Sequence, residues 1–149
     1  MRRDLASKVD LQADPARVWA TLASLPDWAE WNPVIPSIEG ELATAGRLRL
    51  ELELPDRAPR TLRAEVMRVL PQRELSWILR LAVPGLLDCE HRFLLDPLDE
   101  AAPQDGTRVI QRLRVSGILV PFLWWRLRQP LGTALQMSNQ GLEKTLRQP

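Results

Sequence analysis

The residues most capable of chemistry lie on one short segment of the chain, Leu87 to Leu95. If this segment is a strand, alternation places Cys89, His91 and Phe93 on one face and the charged residues between them on the other. Charged side chains prefer water, so we expect His91 to point into the protein. An inward histidine can hydrogen-bond a bound molecule or act as a general acid or base, because its pKa lies near neutrality.

Three uses of an inward His91 stay open. It can anchor a ligand in a pocket, it can be a core histidine satisfied by a neighbour such as Gln111, or it can catalyse a reaction. Gln111 and Leu113 alternate inward on a later strand, Thr107 to Val115, so the second use has a ready partner. Pockets usually carry few polar groups, and His91 is our first candidate for such an anchor.

Other catalytic arrangements find little support. Cys89 and His91 would stand about 7 Å apart on one strand face, beyond direct proton transfer. The acids Glu51, Glu53 and Glu65 fall on the charged faces of their strands, as Glu90 does, so no inward carboxylate pair is expected. A metal would lack ligands for the same reason. We therefore predict no metal and no cofactor, with His91 as the only candidate catalytic residue.

Alternating patterns predict an antiparallel sheet. Arg47 to Leu54 alternates charge and leucine over eight residues, which directs Leu50 and Leu52 toward one interior. Trp77 shares a strand face with leucines in the same way. Further strands are predicted at the following segments: 6–12, 62–69, 75–81, 87–95 and 107–115.

Helical signals flank these strands. Asp14 followed by Pro15 indicates a helix start, and Trp28 and Trp31 lie three apart on a second short helical turn. After Gly117 the apolar spacing becomes 3.6 and predicts one long helix, whose inward stripe includes Leu127 and Leu131. Pro130 lies inside this helix and removes one backbone hydrogen bond.

Composition narrows the class of protein. A chain of 149 residues with 45% hydrophobic and 26% charged residues is typical of one globular domain, which we expect to span 1–149. The net charge of +1 gives no field to attract nucleic acid. The longest apolar run, Ile118 to Trp125, is too short to span a bilayer. With a single cysteine and no visible secretion signal, we expect a cytoplasmic protein.

Several short motifs resemble a known superfamily. They are Asp14 to Trp19, Trp28 to Pro33, His91 to Phe93, and Gly106 to Arg108 continuing through Gly117 to Pro121. Together they resemble the SRPBCC or START-like superfamily, and within it the polyketide cyclase/dehydrase-like bacterial proteins. The resemblance implies an α+β helix-grip fold: a curved antiparallel sheet of about six to seven strands around a long C-terminal helix, with two short helices after the first strand.

The superfamily includes lipid-transfer domains, hormone and allergen-type binders, aromatase/cyclases, ubiquinone-binding proteins and activators of a heat-shock ATPase, all built around one cavity. We therefore expect a carrier of a small hydrophobic molecule, such as a lipid, isoprenoid or aromatic polyketide. Its expected binding residues are Trp28, Trp31, Leu50, Leu52, Trp77, Cys89, His91, Phe93, Gln111, Leu113, Leu127 and Leu131. The alternatives are a cyclase or dehydratase using His91, and a protein-interaction or chaperone-associated module with a filled interior.

Two aromatic residues fall on the outer side of the long helix. Phe122 and Trp125 lie opposite its inward stripe. Exposed aromatics at a helix start are consistent with a dimer contact or a peripheral membrane contact. Liposome sedimentation and the oligomer mass of a variant with serine at both positions would test this prediction.

Overall fold

A computed structural model describes residues 1–147 and contains seven strands and three α-helices. The chain order is β1 (Arg2–Leu11), α1 (Pro15–Ala23), α2 (Trp28–Trp31), β2 (Ser37–Gly40), β3 (Arg47–Leu52), β4 (Arg60–Leu70), β5 (Glu74–Leu81), β6 (Leu87–Pro97), β7 (Thr107–Ser116) and α3 (Val120–Leu146). Short 3₁₀ turns occur at Leu25–Asp27 and Pro103–Asp105. The predicted α+β helix-grip fold is confirmed, with the sheet at the larger of the two expected sizes.

All seven strands form one antiparallel sheet in the order β1-β7-β6-β5-β4-β3-β2. The strands from β2 to β7 are neighbours in sequence, as expected of a meander joined by short turns. β1 pairs along its whole length with β7, from Arg2 opposite Ser116 to Leu11 opposite Thr107. The first strand is therefore held beside the last one, next to the start of α3.

The sheet has one buried and one wet face. On β3, Leu48 and Leu50 are buried whereas Arg47 and Arg49 are exposed, as the alternating sequence predicts. Charged residues on the wet face pair across strands, and Arg108 of β7 contacts Asp10 of β1 through two hydrogen bonds. The buried face is the one that α3 covers.

The first helix begins where the sequence indicates. The carboxylate of Asp14 accepts a hydrogen bond of 2.8 Å from the backbone N–H of Arg17, and Pro15 occupies the first helical position. Val18 and Leu22 are fully buried on the inner side of α1. The helix and the short α2 that follows are the two short helices expected after the first strand, and together they form an elbow between β1 and β2.

The long helix α3 is packed unevenly along its length. From Ala134 onward it buries side chains on almost every turn: Ala134, Leu135, Ser138, Asn139, Leu142 and Leu146. Between Pro121 and Thr133 every side chain is half-buried or exposed. The C-terminal half of α3 is therefore the more tightly packed, while Leu123, Trp124, Leu127 and Leu131 of the N-terminal half are only partly buried against Leu87, Val115 and Val120.

Candidate functional site: a cavity between the sheet and the last helix

A cavity of about 400 Å³ lies between the buried face of the sheet and the middle of α3, from Leu127 to Ser138. The structure brings together around it most of the residues that the sequence selected: Leu50, Leu52, Trp77, Cys89, His91, Gln111, Leu113, Leu127 and Leu131. They come from four strands and one helix.

The structure places three of the selected residues outside the cavity lining. Trp28 is fully buried at the elbow, where its Nε1 donates to the backbone carbonyl of Leu22 at 2.9 Å. Its ring lies 4.7 Å from that of Trp31, which borders a separate surface hollow. Phe93 is fully buried behind His91. These three residues pack the junction between the elbow and the sheet because their strand and helix faces lie beyond the end of the cavity.

The lining also contains residues that were not predicted from the sequence to bind a ligand. They are Val34, Ile35, Leu54, Arg57, Ala58, Arg60, Leu62, Leu79, Leu81, Leu87, Val115, Ala134, Leu135 and Ser138. Most extend the patterns already recognised, since Leu54 and Leu79 continue strand faces and Ser138 continues the helix stripe. Arg57 and Ala58 lie in the loop after β3, where no periodic signal exists to reveal them.

A chain of buried polar groups borders the cavity at His91. Nε2 of His91 lies 2.9 Å from Oε1 of Gln111. Nε2 of Gln111 donates to Oγ of Ser138 at 3.0 Å and to Oδ1 of Asn139 at 2.7 Å. Nδ2 of Asn139 donates in turn to the backbone carbonyl of Ser7 at 3.0 Å. The chain crosses from β6 through β7 and α3 to β1, and it ties the helix to the sheet.

Aromatic contacts and burial fix the state of His91. Its ring stacks on Phe93 at 4.6 Å between centroids and meets Trp77 edge-on at 5.2 Å. Burial lowers the pKa of His91 to about 4, and the hydrogen bond to Gln111 only partly opposes this effect. His91 is therefore a neutral imidazole at physiological pH.

Cys89 is an unreactive thiol in this setting. Burial, with a smaller contribution from the charge of Glu90, raises the pKa of Cys89 to about 12. The thiolate is the reactive form, and it is not populated near neutrality. Within residues 1–147 no three His, Cys, Asp or Glu side chains lie close enough together to hold a metal ion.

One contact joins the loop after β3 to α3 beside the cavity. Pro130 has no N–H, so the carbonyl of Arg126 one turn earlier in α3 lacks its helical partner. Nη2 of Arg57, in the loop between β3 and β4, donates a hydrogen bond of 3.2 Å to this carbonyl. Since Arg57 also lines the cavity, the contact connects one part of the cavity wall to the helix.

Removing this contact is expected to loosen the loop at residues 53–59. In Arg57→Met, amide hydrogen exchange there should accelerate roughly threefold to tenfold, the effect of one hydrogen bond. Arg63→Met, on the exposed face of β4, is the matched control and should leave the exchange unchanged. Equal rates in Arg57→Met and wild type would show that the contact does not hold the loop.

The outer side of α3 presents the two aromatics noted in the sequence. Phe122 is 71% exposed and Trp125 is 74% exposed. The guanidinium of Arg126 lies 5.4 Å from the centre of the Trp125 ring. A dimer or peripheral membrane contact at these residues stays a prediction. Within residues 1–147 no helix has the length and apolarity needed to cross a bilayer.

A curved antiparallel sheet with its last helix laid over an apolar cavity defines a helix-grip protein. The chain belongs to the family of polyketide cyclase / dehydrase and lipid transport proteins, whose model matches residues 2–147. It is thereby a START-like, SRPBCC protein, as its motifs indicated. Comparison with curated protein sequences finds no match.

Solved structures share this architecture. The Zhui aromatase/cyclase from Streptomyces sp. R1128 superimposes with a TM-score of 0.79 at 14% identity, over 99% of this chain and 94% of that one. A START superfamily protein from Mycobacterium smegmatis gives 0.75 at 20% identity over 97% of both chains. Protein MLL2253 from Mesorhizobium loti gives 0.74 at 22% identity over 99% of both. At these identities the likeness establishes the fold alone.

Proposed function

We propose that the protein binds and carries a small hydrophobic molecule in the cavity under α3. The observation that carries this proposal is the open volume of about 400 Å³ within a wall made mostly of leucine, valine and isoleucine. Ligand sites of small molecules range from roughly 300 to 1,000 Å³ and are mainly apolar with a few polar groups. An interior of this kind argues against the alternative of a filled protein-interaction module.

The chemistry of the wall suggests the kind of ligand. Trp77 and the ring of His91 form the aromatic part of the wall, and the surrounding leucines offer apolar contact. Burial of apolar surface contributes about 25 cal/mol per Å², so a compact fused-ring or isoprenoid body would gain most of its affinity from shape and area. A lipid chain is a further member of this class.

A cyclase or dehydratase is the second candidate, because the matched family includes cyclases and His91 faces the cavity. General bases work best with a pKa near the operating pH. The pKa of His91 near 4 makes it a weak base at neutrality, which favours a binding role. Turnover abolished in His91→Phe, with ligand affinity retained, would favour the enzyme instead.

Filling the cavity tests the proposal. Titration calorimetry with naphthalene should show saturable one-to-one binding to the wild type. Leu131→Trp places an indole in the cavity wall on α3 and should weaken this binding at least about tenfold, because the ligand's volume is then occupied. The melting temperature should change little if the indole occupies open space.

Thr133→Trp supplies the matched control, since Thr133 is exposed on the same helix. It should bind naphthalene as the wild type does. Equal binding by both variants, or no binding by the wild type, would contradict a ligand site in this cavity.

A further inference from the structure

In the polar chain beside the cavity, each hydrogen bond can have only one donor and one acceptor assignment. A backbone carbonyl at the end of the chain determines these assignments. The carbonyl oxygen of Ser7 can only accept a hydrogen bond, so the atom of Asn139 that lies 3.0 Å from it must be the amide nitrogen. The other end of the Asn139 amide is then its oxygen, Oδ1. This oxygen is an acceptor and faces Gln111 at 2.7 Å.

The orientation of Asn139 determines that of Gln111, which in turn determines which nitrogen of His91 carries the proton. An acceptor on Asn139 requires the donor nitrogen of Gln111 opposite it, which leaves Oε1 of Gln111 as an acceptor toward the imidazole. A neutral imidazole carries one N–H and one lone pair. The N–H of His91 must therefore lie on Nε2, 2.9 Å from Gln111.

The remaining ring nitrogen, Nδ1, consequently carries the lone pair. Within residues 1–147 it has no hydrogen-bond partner. Because His91 lines the cavity and is 7% exposed, a molecule bound there is the candidate partner for this lone pair. A backbone carbonyl on β1 thus determines that His91 presents a hydrogen-bond acceptor to whatever occupies the space.

We infer that His91 makes the cavity select ligands that donate a hydrogen bond: an apolar body bearing a hydroxyl, such as a phenol or alcohol, in preference to the matching ether. This inference rests on the proposed function and names the substrate class of the same cavity. A hydroxyl satisfies Nδ1, whereas an ether buries two acceptors facing each other with no proton between them.

Two other uncharged hydrogen-bonding groups in the lining need separating from His91. Nε1 of Trp77, which has no partner within residues 1–147, can only donate and so does not favour a hydroxyl over an ether; the second group is Ser138. Its Oγ accepts from Gln111 and retains its own proton, so it can serve either a hydroxyl or an ether. The preference for a donor should accordingly belong to His91 and survive the change Ser138→Ala.

The first test reads the proton position directly. His91 is the only histidine of the chain, so ¹⁵N spectra of the uniformly labelled protein report one imidazole without assignment. Long-range couplings should show a protonated Nε2 and an unprotonated Nδ1 at pH 7. The reverse tautomer would overturn the inference in wild-type protein without recourse to any variant.

The second test compares 2-naphthol with 2-methoxynaphthalene by calorimetry at pH 7. Wild type and Ser138→Ala should bind the naphthol about tenfold more tightly, the effect of one buried hydrogen bond and the cost of leaving it unmade. In His91→Phe the two affinities should become equal. Addition of the naphthol, but not of the ether, should shift the Nδ1 resonance of wild type.

The outcomes separate the two proposals. Equal wild-type affinities, or tighter binding of the ether, would overturn the donor preference while leaving the cavity as a ligand site. A preference lost in Ser138→Ala would assign it to Ser138 and overturn the role of His91. Absence of binding by both compounds would overturn the proposed function together with this inference. If His91→Phe fails to fold, the tautomer of wild-type His91 and the two wild-type affinities, for the naphthol and for the ether, still test the inference.

Discussion

Acidification from pH 7 to pH 4 is expected to remove on the order of 3 kcal/mol of unfolding free energy through His91 alone. In the folded protein, burial lowers the pKa of this imidazole to about 4 from an ordinary value of 6.5. Between these two values the unfolded chain binds a proton that the folded protein does not. Unfolding therefore becomes more favourable as the pH falls from about 6.5 to about 4. Above pH 6.5 the contribution of His91 to the free energy of unfolding is fully present.

Urea denaturation of wild type and His91→Gln at a series of pH values measures this effect. Glutamine does not titrate, and its amide can donate to Gln111 as the imidazole does. Exposed pairs such as Asp10 with Arg108 contribute to acid sensitivity in both proteins alike, so they cancel in the difference between the two curves. Parallel curves from pH 7 to pH 4 would show that His91 is not held neutral by burial.

Two glycines of α3 should respond in opposite directions to the same substitution. A Cβ at Gly141 would fall well inside van der Waals contact with the backbone carbonyl of Trp31, and it would also approach Pro33. Backbone atoms give way at high cost, so Gly141→Ala should destabilise the protein by roughly 2 to 3 kcal/mol. A Cβ at Gly132 meets nothing within 4 Å, so Gly132→Ala should stabilise it by about 1 kcal/mol through helix propensity.

The pair tests how α3 is held. The C-terminal half of α3 is fixed to the elbow, and the helix is less closely packed from Pro121 to Thr133. Thermal or urea unfolding of the two variants measures both effects. A neutral Gly141→Ala would mean that the elbow and the helix are further apart than described, and a destabilising Gly132→Ala would mean that the cavity end is tightly packed.

The sheet and helices were predictable because their patterns are local. Eight residues of strict alternation from Arg47 to Leu54 identify one strand and its inner face, although the strand itself ends at Leu52. The proline after Asp14 locates α1 in the same way. Alternation alone predicted an inward His91 and offered Gln111 as one possible neighbour, and the structure shows the contact between them.

The rest of the site depends on tertiary contacts that leave no local pattern in the sequence. Asn139 follows Ser138 on α3, but only the tertiary arrangement sets its amide between Gln111 and the carbonyl of Ser7. The contact of Arg57 with the carbonyl of Arg126 joins a loop to a helix 69 residues away. Trp28 was among the expected binding residues but lies outside the cavity lining, because a helical spacing indicates burial without indicating what covers the residue.

The most direct test of the ligand site is a crystal structure of the protein soaked with 2-naphthol. We expect the naphthalene rings to lie between the sheet and α3, with the hydroxyl oxygen about 3 Å from Nδ1 of His91. An interior closed by side chains, or a naphthol found only at the surface beside Phe122 and Trp125, would contradict it.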